Sequence, residues 1–287
     1  MSKLLLWVRI CRPQTLFASL VPVLVALRVT GITDTCTAWV TALCALALQI
    51  LSNLINDYYD FLRGTDKAGR AGFRRALAEG EVTEPQMRVA CLTAAAVACA
   101  LGLYLVFTGG WVILAIGLSA LLFAWLYTAT SHSLSYLGIA DIFVYLYYGV
   151  VASCGTAYLQ GLTTFSDTMW RVFFAGSVSG LISMCVLMIN NLRDIDSDRL
   201  AGKRTLPVRF GKRTAEGLML IYVLLMPVFA WLAFNTPYDD CGWTEAIIVI
   251  PALWLWMKVV RAKGNEYNTC LIFTGLLNLL YFITTLL

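Results

Sequence analysis

Apolar residues in this chain come in long uninterrupted runs, and that constrains its fold more than any other feature. Runs fall near 15–32, 38–56, 89–108, 111–130, 139–160, 171–192, 214–235, 244–260 and 268–287. A helix needs about 20 apolar residues to cross the hydrocarbon core, so these runs predict about nine transmembrane helices. Strict alternation of apolar and polar residues, the mark of a membrane strand, is missing, so helices and not a barrel are expected. The composition agrees: 60% of residues are hydrophobic and 13% charged, against roughly 45–50% and about 25% in soluble domains. The expected fold is an all-α polytopic bundle, a single domain over 1–287. Its helices surround a central cavity open to the cytoplasmic side.

Charge sets the expected orientation. With the N-terminus inside, the inner segments are 1–14, 57–88, 131–138, 193–213 and 258–267, and they hold 19 of the 21 Lys and Arg residues. Arg28 and Arg171 fall elsewhere, near span ends where long side chains can snorkel. The outer side carries Asp34, Asp167, Asp239, Asp240 and Glu245. This arrangement satisfies the positive-inside rule and its inverse violates it. The modest net charge of +4 argues against nucleic acid as a partner. Nine cysteines, without a CxxC pair and mostly inside apolar runs, suggest small hydrophobes and neither a disulfide framework nor a zinc site. Arg9 and Arg12 interrupt the start, and no small-residue cleavage site follows, so no cleaved signal is expected.

Two inner loops, 57–88 and 193–213, are long for a compact membrane protein, which makes them the expected home of function. Each follows an even-numbered helix and they lie four helices apart, which suggests two quasi-repeated four-helix units. The second helix ends in Gln49-Ile-Leu-Ser-Asn53-Leu-Ile-Asn56-Asp57-Tyr58-Tyr59-Asp60. Positions 49, 53, 56 and 60 form one polar stripe at helical spacing, and Asp57 and Asp60 lie one turn apart. The sixth ends in Asn190-Asn191-Leu-Arg193-Asp194-Ile-Asp196-Ser-Asp198, where 190, 194 and 198 share a face and Asp196 points away. Carboxylates are disfavoured at helix C-termini, where the macrodipole is negative. One such pair reads as a solvated face; two pairs, each preceded by intramembrane amides, read as a site. All-oxygen donors from separate helices suit Mg²⁺, which takes a few carboxylates together with phosphate oxygens. Lys67, Arg70, Arg74, Arg75, Arg193, Lys203 and Arg204 could hold the remaining phosphate charge.

Asn56-Asp57-x-x-Asp60 and Asp194-x-x-x-Asp198 resemble the paired aspartate motifs of the UbiA superfamily of intramembrane aromatic prenyltransferases. Within it, LQILSNLINDYYDFLRGTDKAGR and NNLRDIDSDRLAGKRTLPVRFG are similar to the motifs of the 1,4-dihydroxy-2-naphthoate prenyltransferases of menaquinone biosynthesis. The start at Arg12-Pro13-x-Thr15-Leu16 is similar too, and the resemblance runs from about 7 to 213. It implies polyprenyl transfer from a diphosphate to the naphthoate, with loss of the acceptor's carboxyl group as CO₂. Asp57, Asp60, Asp194 and Asp198 would hold Mg²⁺, two ions bridging the diphosphate. Asn56, Lys67, Arg70, Asn191, Arg193 and Lys203 would bind the diphosphate, with no haem or nucleotide cofactor. Asn53, Tyr58, Tyr127 and His132 are candidate contacts to acceptor or carbocation, although a lone loop histidine and interfacial tyrosines are common without a role. The loop 131–138 lacks the proline or base usual in the family, which leaves a basic role there without a bearer. Other aromatic acceptors, 4-hydroxybenzoate or homogentisate, stay open, as does a cation-coupled transporter. The isoprenoid tail would lie along the helices or leave sideways into lipid. The implied setting is a bacterial inner membrane with the active face in the cytoplasm.

Overall fold

A computed structural model describes residues 2–64, 75–128, 138–235 and 247–286, with Tyr127 and Thr128 as backbone only. Helices α1 (Lys3–Ile10), α2 (Pro13–Thr30), α3 (Thr35–Leu62) and α4 (Glu84–Thr128) come first. They are followed by α5 (Ala140–Leu159), α6 (Asp167–Arg193), α7 (Ile195–Leu200), α8 (Leu206–Phe210), α9 (Lys212–Phe234), α10 (Val249–Arg261) and α11 (Glu266–Thr284). Seven of them are long and apolar enough to cross a membrane among the described residues. The difference from nine runs has two sources. Helix α4 carries two runs across a break at Gly110, whose φ of 67° and ψ of −152° no helix accommodates. Helix α10 keeps 13 residues, and the run to which it belongs begins outside the described residues. Leu103, Phe107, Trp111, Leu118 and Ile250 are exposed on the outside of the bundle, the surface of an integral membrane protein.

The core centres on α6, whose Ile182, Met188 and Ile189 pack with Met219, Val223 and Met226 of α9, Leu255 of α10 and Tyr281 of α11. Burial of each such side chain contributes roughly 1.5–3 kcal/mol against water; within lipid, close packing and satisfied polar groups matter more. Tyr281 accordingly donates its hydroxyl to the Ala175 carbonyl at 3.0 Å. Arg28 and Arg171 do more than snorkel: their Nε atoms donate to the carbonyls of Thr285 and Ala233 at 3.1 and 2.9 Å, at the C-terminal ends of α11 and α9. Helix α5 holds a π-turn over Leu146–Val151. There Gly149 lies so near α6 that a Cβ on it would stand 2.9 Å from the Gly176 carbonyl oxygen.

Candidate active site

Helix α3 runs on past its apolar stretch because nothing breaks it before Gly64, which takes a φ of 68° just beyond the Arg63 cap. Asp57 and Asp60 are therefore helical and buried, each with 4% of its surface exposed. The expected stripe is present: Gln49, Asn53, Asn56 and Asp60 all line one cavity, of about 560 Å³. Asp57, three residues before Asp60, turns toward the start of α2 and meets the guanidinium of Arg12.

The end of α6 supplies the facing wall. Asp194 stops the helix at φ −99° and ψ 11°, yet the Asp198 amide still donates to the Asp194 carbonyl at 2.8 Å. That bond carries the four-residue register across the break, so Asn190, Asp194 and Asp198 all line the cavity together with Asn191. Asp196 points out, its side chain 90% exposed beside Arg199.

Cations sit on these carboxylates. Arg12 and Arg75 both pair with Asp57. Arg193 binds Asp194 through two hydrogen bonds of 2.9 and 2.8 Å and donates a third, of 2.9 Å, to Asn268 of α11. Lys203 stands 3.5 Å from Asp198 and 4.0 Å from Asp60, joining the two motifs. Buried charges are expensive unless paired, so the positive groups are what makes four buried carboxylates tolerable together. Arg12 reaches its place at a φ of 53°, left-handed for a residue with a Cβ, immediately before Pro13. Such a conformation costs on the order of 1 kcal/mol. The Thr15 amide and hydroxyl hold it, each donating to the Arg12 carbonyl at 2.9 Å.

Other expected residues divide. Asn53 spends its amide on structure, donating to the Cys11 carbonyl at 3.1 Å and the Thr15 hydroxyl at 2.9 Å. Gln49 donates to Asn53 Oδ1 at 3.3 Å and continues that seam. Tyr58 lies away from the cavity, its hydroxyl on Glu84 at 3.2 Å and its ring edge-on to Tyr59. Lys67, Arg70, Arg74, His132 and the Tyr127 side chain fall outside the described residues. Sequence reasoning missed Arg12 as a partner of Asp57, and missed Phe123, Phe143, Tyr147 and Tyr148 as the aromatic wall of the cavity. The signal for Arg12 was its place beside a proline at the mouth of the first span.

The donor set fits a hard divalent cation: four buried carboxylates, neighbouring amides and no sulfur or imidazole among them. Among the described residues no three acidic, His or Cys side chains close on a single point. An ion here would complete its shell with phosphate and water oxygens, as Mg²⁺ does.

Comparison with known proteins identifies the family and the fold. The model of the UbiA prenyltransferase family matches residues 16–283. A 1,4-dihydroxy-2-naphthoate octaprenyltransferase of Escherichia coli is 35% identical over 268 residues, covering 89% of this chain and 81% of that protein. The protein of that name from Mycobacterium tuberculosis is 32% identical over 253 residues, 86% of this chain and 84% of its own. A UbiA homologue from Archaeoglobus fulgidus, solved with DMAPP and Mg²⁺, superposes with a TM-score of 0.65 over 98% of this chain and 97% of that one, at 17% identity. The apo UbiA homologue of Aeropyrum pernix gives 0.68 over 95% and 98%, at 16% identity. The chain is an integral membrane prenyltransferase and belongs to the UbiA prenyltransferase family.

Proposed function

We propose that this protein transfers a polyprenyl group from polyprenyl diphosphate to 1,4-dihydroxy-2-naphthoate, with loss of the carboxyl group as CO₂, to give diphosphate and demethylmenaquinol, the reduced form of demethylmenaquinone. The observation that carries the reading is the meeting of Asp60 from the first motif with Asp194 and Asp198 from the second at one cavity, with Lys203 within 4.0 Å of Asp60 and 3.5 Å of Asp198. Asp57, Asp60, Asp194 and Asp198 would hold Mg²⁺, as two ions. When bound, the metal supplies Lewis-acid stabilisation of the leaving diphosphate.

The chain's own residues do the rest. Arg193 and Lys203 move their positive charge from carboxylate to phosphate oxygens as the donor enters, with Asn56 and Asn191 beside them; Lys67 and Arg70, outside the described residues, would add to this charge. Asn268 keeps the Arg193 guanidinium in place through this exchange. Below the mouth, Phe123, Phe143, Tyr147 and Tyr148 exclude water from the allylic carbon and offer ring faces to the positive charge that grows there. The electron-rich naphthoate ring attacks that carbon as the C–O bond to diphosphate breaks. The 35% identity to a protein named for naphthoate supports this acceptor over 4-hydroxybenzoate and homogentisate. The lysine and arginine distribution supports an orientation with the N-terminus and the site facing the cytoplasm, and a role in menaquinone synthesis fits a bacterial inner membrane. An acceptor competition tests the assignment. Purified protein, farnesyl diphosphate and Mg²⁺ are given equal amounts of the three aromatic acids. Consumption of the naphthoate alone is expected, and preferential consumption of either benzenoid acid overturns the choice.

A further inference from the structure

Most hydroxyls that line the cavity are already spent. Thr15, Ser19, Thr41, Thr156 and Ser183 all face it, and each donates its proton to a backbone carbonyl three or four residues back, at 2.7–3.0 Å. A hydroxyl used in this way is closed to a ligand as a donor. Ser52 of α3 and Tyr148 of α5 line the cavity too, but they turn elsewhere. The Tyr148 hydroxyl points across the cavity wall at the side chains of Ser52 and Gln49.

Gln49 is the unsatisfied member of this trio. Its residue is 7% exposed, its amide nitrogen donates to Thr15 and Asn53, and its Oε1 is buried and accepts no hydrogen bond among the described residues. A buried amide oxygen without a donor costs about 1–3 kcal/mol. Tyr148 is held in place from behind. It stands in the π-turn of α5, a feature frequent at functional sites, and the adjoining Gly149 is pressed against α6 at Gly176 and Gly180.

Depth completes the argument. Ser52 and Gln49 lie eight and eleven residues before Asp60, which at 1.5 Å per residue is about 12 and 16 Å down α3. The phosphate oxygens and the allylic carbon take up the upper part of that span. A ring within attacking distance of that carbon, about 3–3.5 Å, fills the rest and brings a ring hydroxyl to the level of the trio. We infer that Tyr148, Ser52 and Gln49 form the receptor for one ring hydroxyl of the aromatic acceptor. The ring hydroxyl donates to the Tyr148 oxygen, the Tyr148 proton turns to Gln49 Oε1, and Ser52 donates to the ring oxygen. This chain satisfies the orphaned amide only when the acceptor is bound, and it fixes which ring carbon faces the donor. The inference rests on the reading that the acceptor is a dihydroxylated naphthoate. A site that hydrogen-bonds a substrate hydroxyl strongly rejects the analogue without it, so these three residues are specificity determinants.

Tyr148→Phe tests this, because it removes the hydroxyl and keeps the ring. Steady-state kinetics with farnesyl diphosphate and Mg²⁺ should show KM for 1,4-dihydroxy-2-naphthoate raised at least tenfold and KM for the donor changed less than twofold. Ser52→Ala should shift the acceptor KM in the same direction. An unchanged acceptor KM in Tyr148→Phe, or equal shifts for both substrates, overturns the receptor and leaves the acceptor assignment standing. A parent protein that prenylates another aromatic acid and not the naphthoate overturns both. A second measurement compares 1-hydroxy-2-naphthoate with 4-hydroxy-2-naphthoate as inhibitors, each lacking one hydroxyl. Their inhibition constants should differ at least tenfold on the parent and less than threefold on Tyr148→Phe. Equal constants on the parent, or a gap that survives in the variant, refute the receptor.

Discussion

Lys203 offers the sharpest test of how the site is charged. Its ammonium stands 3.5 Å from Asp198 and 4.0 Å from Asp60, and both carboxylates are buried, at 5% and 4% exposure. At an effective dielectric near 20, each attraction is roughly 4–5 kcal/mol before desolvation. Removing one partner of a buried pair costs about 3–5 kcal/mol net. The lower end applies here, because the Lys203 side chain keeps 12% of its surface in solvent. Lys203→Met, which preserves the aliphatic stem, should thus destabilise the metal-free protein by about 3 kcal/mol. At about 2 °C per kcal/mol for a chain of this size, the melting temperature falls by ~6 °C. In the parent, Mg²⁺ must compete with the lysine for the two carboxylates; in the variant the carboxylates stand ready. Thermal unfolding in detergent should therefore show a larger upward shift on adding Mg²⁺ alone, without diphosphate, to the variant than to the parent. Equal or smaller stabilisation of the variant would refute the reasoning, since the cation would then bind away from Asp60 and Asp198.

Three further outcomes follow from the same geometry. Asp57→Asn and Asp194→Asn should each abolish prenyl transfer while the protein still inserts and purifies from membranes; near-normal turnover in either, measured by product formation, would contradict a metal held there. Stripping divalent ions with a chelator should stop turnover, and Mg²⁺ should restore it in full; activity that survives chelation counts against the oxygen-donor site. Gly180→Val forces a side chain where a Cβ alone would stand 2.9 Å from the Tyr145 carbonyl oxygen. Overpacking of this kind costs about 1–3 kcal/mol, and an unchanged melting temperature would argue against the tight seam between α5 and α6.

The polar stripe on α3 was readable because helical spacing is a local property: Gln49, Asn53, Asn56 and Asp60 share a face whatever the rest of the chain does. The register of Asn190, Asp194 and Asp198 survived for the same reason, although α6 ends between them, because one backbone bond spans the break. The Gly109-Gly110 interruption marked the change of direction inside α4. What sequence could not convey is pairing across distance. Arg12 meets Asp57 across 45 residues, and no periodicity records such a partner. Asn53 faces the cavity by spacing, yet its hydrogen bonds bind α2 to α3, which only the packing of the two helices decides. Tyr58 is turned by Glu84 at the start of α4, 26 residues along the chain, a pairing that no local spacing records. The π-turn of α5 has no sequence period of its own.

The most direct measurement is mass spectrometry of the lipid product from purified protein with farnesyl diphosphate, 1,4-dihydroxy-2-naphthoate and Mg²⁺. We expect a farnesylated naphthalenediol, or its quinone, lighter than the simple adduct by the mass of CO₂. A product that retains the carboxyl group, or no naphthoate product from folded protein that turns over another aromatic acid, would contradict the account.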